Sequence, residues 1–242
     1  VSPSGAIGVS YFDFRFNDAA AGAHTDRWFI SCHPEIASCD RFGTWQEARI
    51  TDESFDIKAA PSAGGLFLGD YMGLAAAGDD FDVLFTQTGA GDRASAFHRR
   101  VRMSTDVAPR GLGWWRKQVR ANLTDRGRPE LPASRLLVAV QNIRDVQVGF
   151  DDVVDLGALD AVLDPDHPAA MAGRARAHVL ALLLNLADRR VPPREPLRDG
   201  TTAIEAARAL VDVVADGASA FAELEAAKDR AEAINEGDLF LN

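Results

Sequence analysis

Phe67-Leu68-Gly69-Asp70-Tyr71-Met72-Gly73-Leu74 joins a hydrophobic strand, an acid, a phenol and two glycines within eight residues. In an extended segment, Asp70 and Tyr71 point to opposite faces. Gly69 and Gly73 let the strand bend or another backbone come close. The bland reading is a strand in which Tyr71 packs and Asp70 caps a turn; the functional reading depends on what surrounds it.

Upstream, residues 5–16 alternate in the strand manner. Ile7, Val9, Tyr11, Asp13 and Arg15 fall on one face, and Ser10, Phe12, Phe14 and Phe16 on the other. Trp28 to Cys32 reads as a second strand and Ala48 to Ile50 as a third. Phe67 to Ala76, Phe81 to Gln87 and Ala94 to Arg102 supply three more, with Gly-Asp-Asp and Gly-Ala-Gly-Asp as turns. Short strands at this spacing predict antiparallel all-β structure.

The period changes after Asp106. Ala108-Pro109-Arg110-Gly111-Leu112-Gly113 reads as a linker, and the later segments repeat at helical spacing. Helices are predicted over Trp114 to Asn122, Pro132 to Arg144 and Pro168 to Arg190. Two more follow: one after a Thr202-x-x-Glu205 capping box, and one from about Ser219 to Asn235. The stretch Leu180 to Leu186 is apolar nearly all round, which marks its helix as central. The expected division is 1–106 as a β domain and 107–242 as an α-helical bundle.

The 242 residues include 36 acids and 26 bases, a net charge of −10. That balance disfavours nucleic acid as a partner. The longest nearly apolar run, Val179 to Ala187, is too short for a membrane span. Cys32 and Cys39, with six residues between them, read as a short-loop disulfide of a secreted protein; a metal pair or two free thiols are the alternatives. The five histidines lack His-x-x-x-His and Glu-x-x-His spacing. Asp151, Asp152, Asp155, Asp160, Asp164 and Asp166 lack the calcium-loop pattern and read as an acidic surface with helix caps. No phosphate loop, dinucleotide fingerprint or serine elbow appears, so no cofactor or metal is expected.

Ser38-Cys39-Asp40-Arg41-Phe42-Gly43-Thr44-Trp45 resembles the Asp box of sialidases and other BNR-repeat β-propellers. Ser38, Asp40, Thr44 and Trp45 occupy the family places, while Phe42 stands where the family has Gly. Val9 to Arg15 resembles a V-x-Y-x-D-x-R strand. Ser54-Phe55-Asp56 with the opening stretch resembles the S-F-D…F-L-G-D-Y-x-G segment of secreted bacterial sialidase-like propeller proteins. The resemblance covers residues 5 to about 105, so it implies the last two antiparallel blades of a propeller, with a helical bundle appended. Two blades cannot close, and the remaining ones are expected upstream as a C-terminal fragment's missing partners. Within the helical part, Gly113-Trp114-Trp115-Arg116-Lys117 and Leu182-Leu183-Leu184-Asn185 resemble a bundle appended to secreted bacterial proteins, and name no activity.

The implied chemistry is glycoside hydrolysis of sialosides, whose retaining enzymes use a Tyr nucleophile. The resemblance then implies Tyr71 as nucleophile with Asp70 beside it, and Arg15 as a clamp for the substrate carboxylate. The Asp-box residues are expected to be structural, with Trp45 buried against the strand holding Phe29. The alternative is a non-catalytic extracellular propeller that binds glycan or glycoprotein, with the bundle as an attachment module.

Overall fold

The computed structural model describes residues 1–19, 22–69, 72–89, 91–103, 107–124, 127–164 and 170–241. Among the described residues, seven strands precede six α-helices: β1 (Ile7–Asp13), β2 (His24–Cys32), β3 (Gln46–Arg49), β4 (Phe55–Asp56), β5 (Gly73–Ala77), β6 (Asp80–Gln87) and β7 (Ser95–Val101), then α1 (Leu112–Thr124), α2 (Ala133–Val146), α3 (Leu156–Leu163), α4 (Met171–Ala187), α5 (Ala203–Ala215) and α6 (Phe221–Glu236). Two compact units emerge: residues 1–34 with 45–103, and residues 35–44 with 104–242. The sequence-based division puts 35–44 in the β domain. Their grouping with the helices follows from Ile36, whose side chain is buried in the helical core.

The first unit holds two antiparallel sheets. In one, β2 pairs with β1 along one edge, and β3 and the two-residue β4 share the other. The second has the order β5-β6-β7. Phe29 of β2 meets Phe81 of β6 at 5.3 Å between ring centroids, and Val83 and Phe85 extend this core. A Cβ on Gly8 would lie 2.8 Å from Phe29 Cζ and 2.9 Å from Phe81, so only glycine admits this packing at that point of β1.

These sheets correct the propeller expectation. A blade needs four full strands in a meander, whereas β4 is two residues long and the second sheet has three strands. No closed propeller or barrel forms among the described residues, and the inference of further blades upstream goes with it. The expected strand over Phe67 to Ala76 is a strand only over Gly73–Ala77. Before it, Leu68 is buried with Phe55 and Ala60, and Gly69 sits at φ +114°, a conformation that interrupts an extended run.

The expected helical bundle is not shown either; the second unit is six helices gathered on α4. That helix packs against each of the other five, and it is buried continuously from Val179 to Leu186. The capping box forms at α5: Glu205 N donates to Thr202 Oγ1, and Thr202 N donates to Glu205 Oε2 at 2.8 Å. The helix α3 was not anticipated. It is eight residues long, too short for a periodic signal, and is started by Asp155, whose side chain accepts from Ala158 N at 2.8 Å.

Candidate functional site on the first sheet

Pairing of Tyr11 with Trp28, and of Trp28 with Arg49, lays these three residues in one row across β1, β2 and β3. Glu47 stands one row away on β3, opposite Ile30. The Tyr11 hydroxyl donates to Glu47 Oε1. Arg15 reaches the same carboxylate from the turn after β1, Nη1 to Oε2 at 2.5 Å and Nη2 to Oε1 at 2.8 Å. Its Nη2 also donates to Asp13 Oδ2 at 2.8 Å, and Asp13 Oδ1 accepts from Arg15 N at 2.6 Å, which fixes the turn.

The guanidinium of Arg15 lies 3.9 Å over the Trp28 ring, and Phe16 packs on the same indole at 5.8 Å. Alternation puts Phe16 on the opposite face from Arg15. It fails here because β1 ends at Asp13, so the pleat no longer dictates direction beyond it. Phe14 and Phe16 remain about half exposed, whereas Trp28 is buried beneath the stack.

Below this row is an anchor that the sequence reading missed. Asp26 is fully buried and accepts from Arg49 Nε at 2.8 Å and Nη2 at 2.6 Å, from Thr51 Oγ1 at 2.7 Å and from Ser54 Oγ at 2.8 Å. Burial pushes its carboxyl up, but the Thr51 and Ser54 hydroxyls and Arg49 outweigh that, and the net shift is downward. Ser54 of the Ser-Phe-Asp motif is therefore a structural donor. Asp56 of the same motif accepts from Ala23 N at 2.7 Å and Lys58 N at 2.9 Å. The visible signal for Asp26 was its place next to a strand core with Thr and Ser fifteen or more residues on, which no short motif captures.

Electrostatics decide what the Tyr11 cluster can do. Burial and the bond to Glu47 raise the Tyr11 phenol above its usual range. Arg15 first, then Tyr11, hold the Glu47 carboxyl below its own. The two shifts diverge, so moving the phenolic proton to Glu47 is harder than between free side chains. A Tyr–Glu pair with an orienting Arg has the layout of an activated nucleophile, yet not its proton affinities.

Of the expected catalytic residues, Arg15 alone lies among the described residues. Asp70 and Tyr71 lie outside the described residues. Arg15 is committed to Glu47 and Asp13. At the turn resembling an Asp box, Ser38 Oγ donates to Asp40 Oδ1, and Thr44 Oγ1 donates to the carbonyls of Ser38 at 2.6 Å and Arg41 at 2.8 Å. Trp45 is half-buried and belongs to none of the buried hydrophobic clusters, contrary to the expectation of a core plug. Cys32 and Cys39 are disulfide-bonded.

Among the described residues, no group of three or more His, Cys, Asp or Glu side chains is placed to hold a metal ion. No helix among them is long and apolar enough to cross a membrane. The chain matches no protein-family model, no curated protein and no solved structure.

Proposed function

We propose that the chain is a non-catalytic recognition module for extracellular glycan, reading its ligand on the outer face of the β1-β2-β3 sheet. The observation that carries this is the stack of Arg15 on Trp28, rimmed by the half-exposed rings of Phe14 and Phe16. Saccharides are held by flat apolar faces next to fixed polar groups, and the charges beside this stack are already ordered by one another. The disulfide at Cys32 and Cys39 supports an oxidising, extracellular setting. Calorimetric titration with 3′-sialyllactose and lactose tests the reading. Saturable binding that Phe16→Ala weakens at least fivefold is expected. Absence of binding across neutral and acidic oligosaccharides would contradict it.

The second reading is sialidase-type glycoside hydrolysis, and one observation favours it: the Tyr11 hydroxyl bonded to Glu47 with Arg15 alongside. In that reading Tyr11 takes the nucleophile's role that the motif resemblance gives to Tyr71. The opposed pKa shifts of Tyr11 and Glu47 count against it. Turnover of a fluorogenic sialoside that disappears in Tyr11→Phe would favour hydrolysis over recognition.

A further inference from the structure

A cleft of about 440 Å³ opens on the helical unit between α1 and residues 127–129. Gly113, Arg116, Lys117, Arg120, Ala121 and Thr124 form one wall, a single stripe at helical spacing, and Gly127, Arg128 and Pro129 form the other. Its volume is that of a small-ligand site. Four cations line it on a chain whose net charge is −10, so it is a positive island on an acidic protein.

The far wall is pinned from α1. Gln118 Oε1 accepts from Glu130 N at 2.8 Å and Leu131 N at 3.3 Å, Asn122 Nδ2 donates to Leu131 O at 2.9 Å, and Trp114 Nε1 donates to Glu130 Oε1 at 3.2 Å. Three side chains thus hold the loop that carries Arg128 before any ligand arrives.

The cations are not all spent. Arg116 pairs with Asp164 at 2.6 Å and Arg120 with Asp160 at 3.0 Å, both acids standing outside the lining. Lys117 and Arg128 are exposed and make no ion pair with any described residue. A separate observation points the same way. Gln118 also lines the cleft: its oxygen is doubly bonded, and its Nε2, which makes no hydrogen bond among the described residues, is left to solvent. An amide N–H₂ facing solvent at a cleft wall, on a side chain already fixed through its oxygen, is a donor that a ligand can take over from water.

We propose that this cleft binds a small ligand bearing a tetrahedral oxyanion, a phosphate or sulfate ester, with Gln118 Nε2, Lys117 and Arg128 as its donors. Arginine and lysine suit this group; Asp164 and Asp160 already neutralise Arg116 and Arg120, which leaves Lys117 and Arg128 as the uncompensated charges. The site is independent of the sheet face and stands or falls separately.

The test is calorimetric titration at pH 7 and constant ionic strength with inorganic phosphate, inorganic sulfate, glucose 6-phosphate and glucose 6-sulfate. Sodium chloride is the control. Saturable binding of at least one oxyanion is expected, weakened at least tenfold in the Lys117→Ala/Arg128→Ala double variant. Both side chains are exposed and unpaired, so this variant should fold normally. The tighter of the two esters identifies the source. A response no greater than that of chloride, or equal affinity in the double variant, overturns the proposal.

Discussion

Asp26 and Tyr11 sit on the same sheet but carry different kinds of load. Asp26 is buried and takes four hydrogen bonds from three side chains, so its removal strands Arg49, Thr51 and Ser54 together. Asp26→Ala should cost about 3 kcal/mol, read from chemical denaturation. Tyr11→Phe removes one exposed hydroxyl and should cost less than about 1 kcal/mol. Trp45, half-buried outside the clusters, should cost about 1–2 kcal/mol on truncation to Ala, below the range for a core aromatic. These differences were hidden in the sequence for a physical reason. Tyr11, Arg15 and Trp45 stand in recognisable patterns, but a pattern gives no burial, and Asp26 acquires its partners only when β2, β3 and the turn after β3 meet.

Among the elements, α1 and α4 show what was legible. Gly113-Trp114-Trp115-Arg116-Lys117 and Leu182-Leu183-Leu184-Asn185 stood out separately in the sequence, and in the fold each completes the other. Asn185 Oδ1 accepts from Trp115 Nε1 at 3.3 Å and Arg110 N at 2.9 Å, and its Nδ2 donates to Arg110 O and Asn235 Oδ1, both at 2.9 Å. Asn185→Leu should therefore destabilise by about 2–4 kcal/mol, although leucine suits the apolar surroundings, because it leaves buried donors and acceptors unmatched. The change of period near residue 107 is visible in the residues, and strands end at Val101 while helices start at Leu112. The arrangement of the strands was not legible. Alternation reports which face a residue takes but not how many neighbours a strand acquires, and β4 is too short to alternate at all. Between β6 and β7, Asp82 receives Arg100 Nε at 2.9 Å and His98 Nε2 lies 3.0 Å away; Arg100 foremost holds its carboxyl down to about 2. A depressed carboxylate contributes stability above its unfolded pKa and loses it as pH falls through the folded one. The first unit should accordingly lose stability from about pH 4 towards pH 2, and Asp82→Asn should flatten that part of a denaturation-against-pH curve.

For the whole molecule, the proposed recognition reading rests on the sheet face, where the Arg15–Trp28 stack is already ion-paired. The stretch from Phe67 to Leu74 suggested an active centre by analogy, and Asp70 and Tyr71 lie outside the described residues. What the fold does assemble is an Arg–aromatic stack whose charges are already paired, next to a phenol whose proton is held more firmly than usual. Reduction of the disulfide at Cys32 and Cys39, which closes a short loop, should lower stability by about 2–3 kcal/mol on thermal or chemical unfolding. The most direct measurement of the central claim pairs binding with turnover on one sample, titrating 3′-sialyllactose while following release of free sialic acid. The account predicts saturable binding, weakened at least fivefold in Phe16→Ala and weakened likewise in Arg15→Ala, with no product released. Release of sialic acid at a rate that depends on the Tyr11 hydroxyl would contradict it.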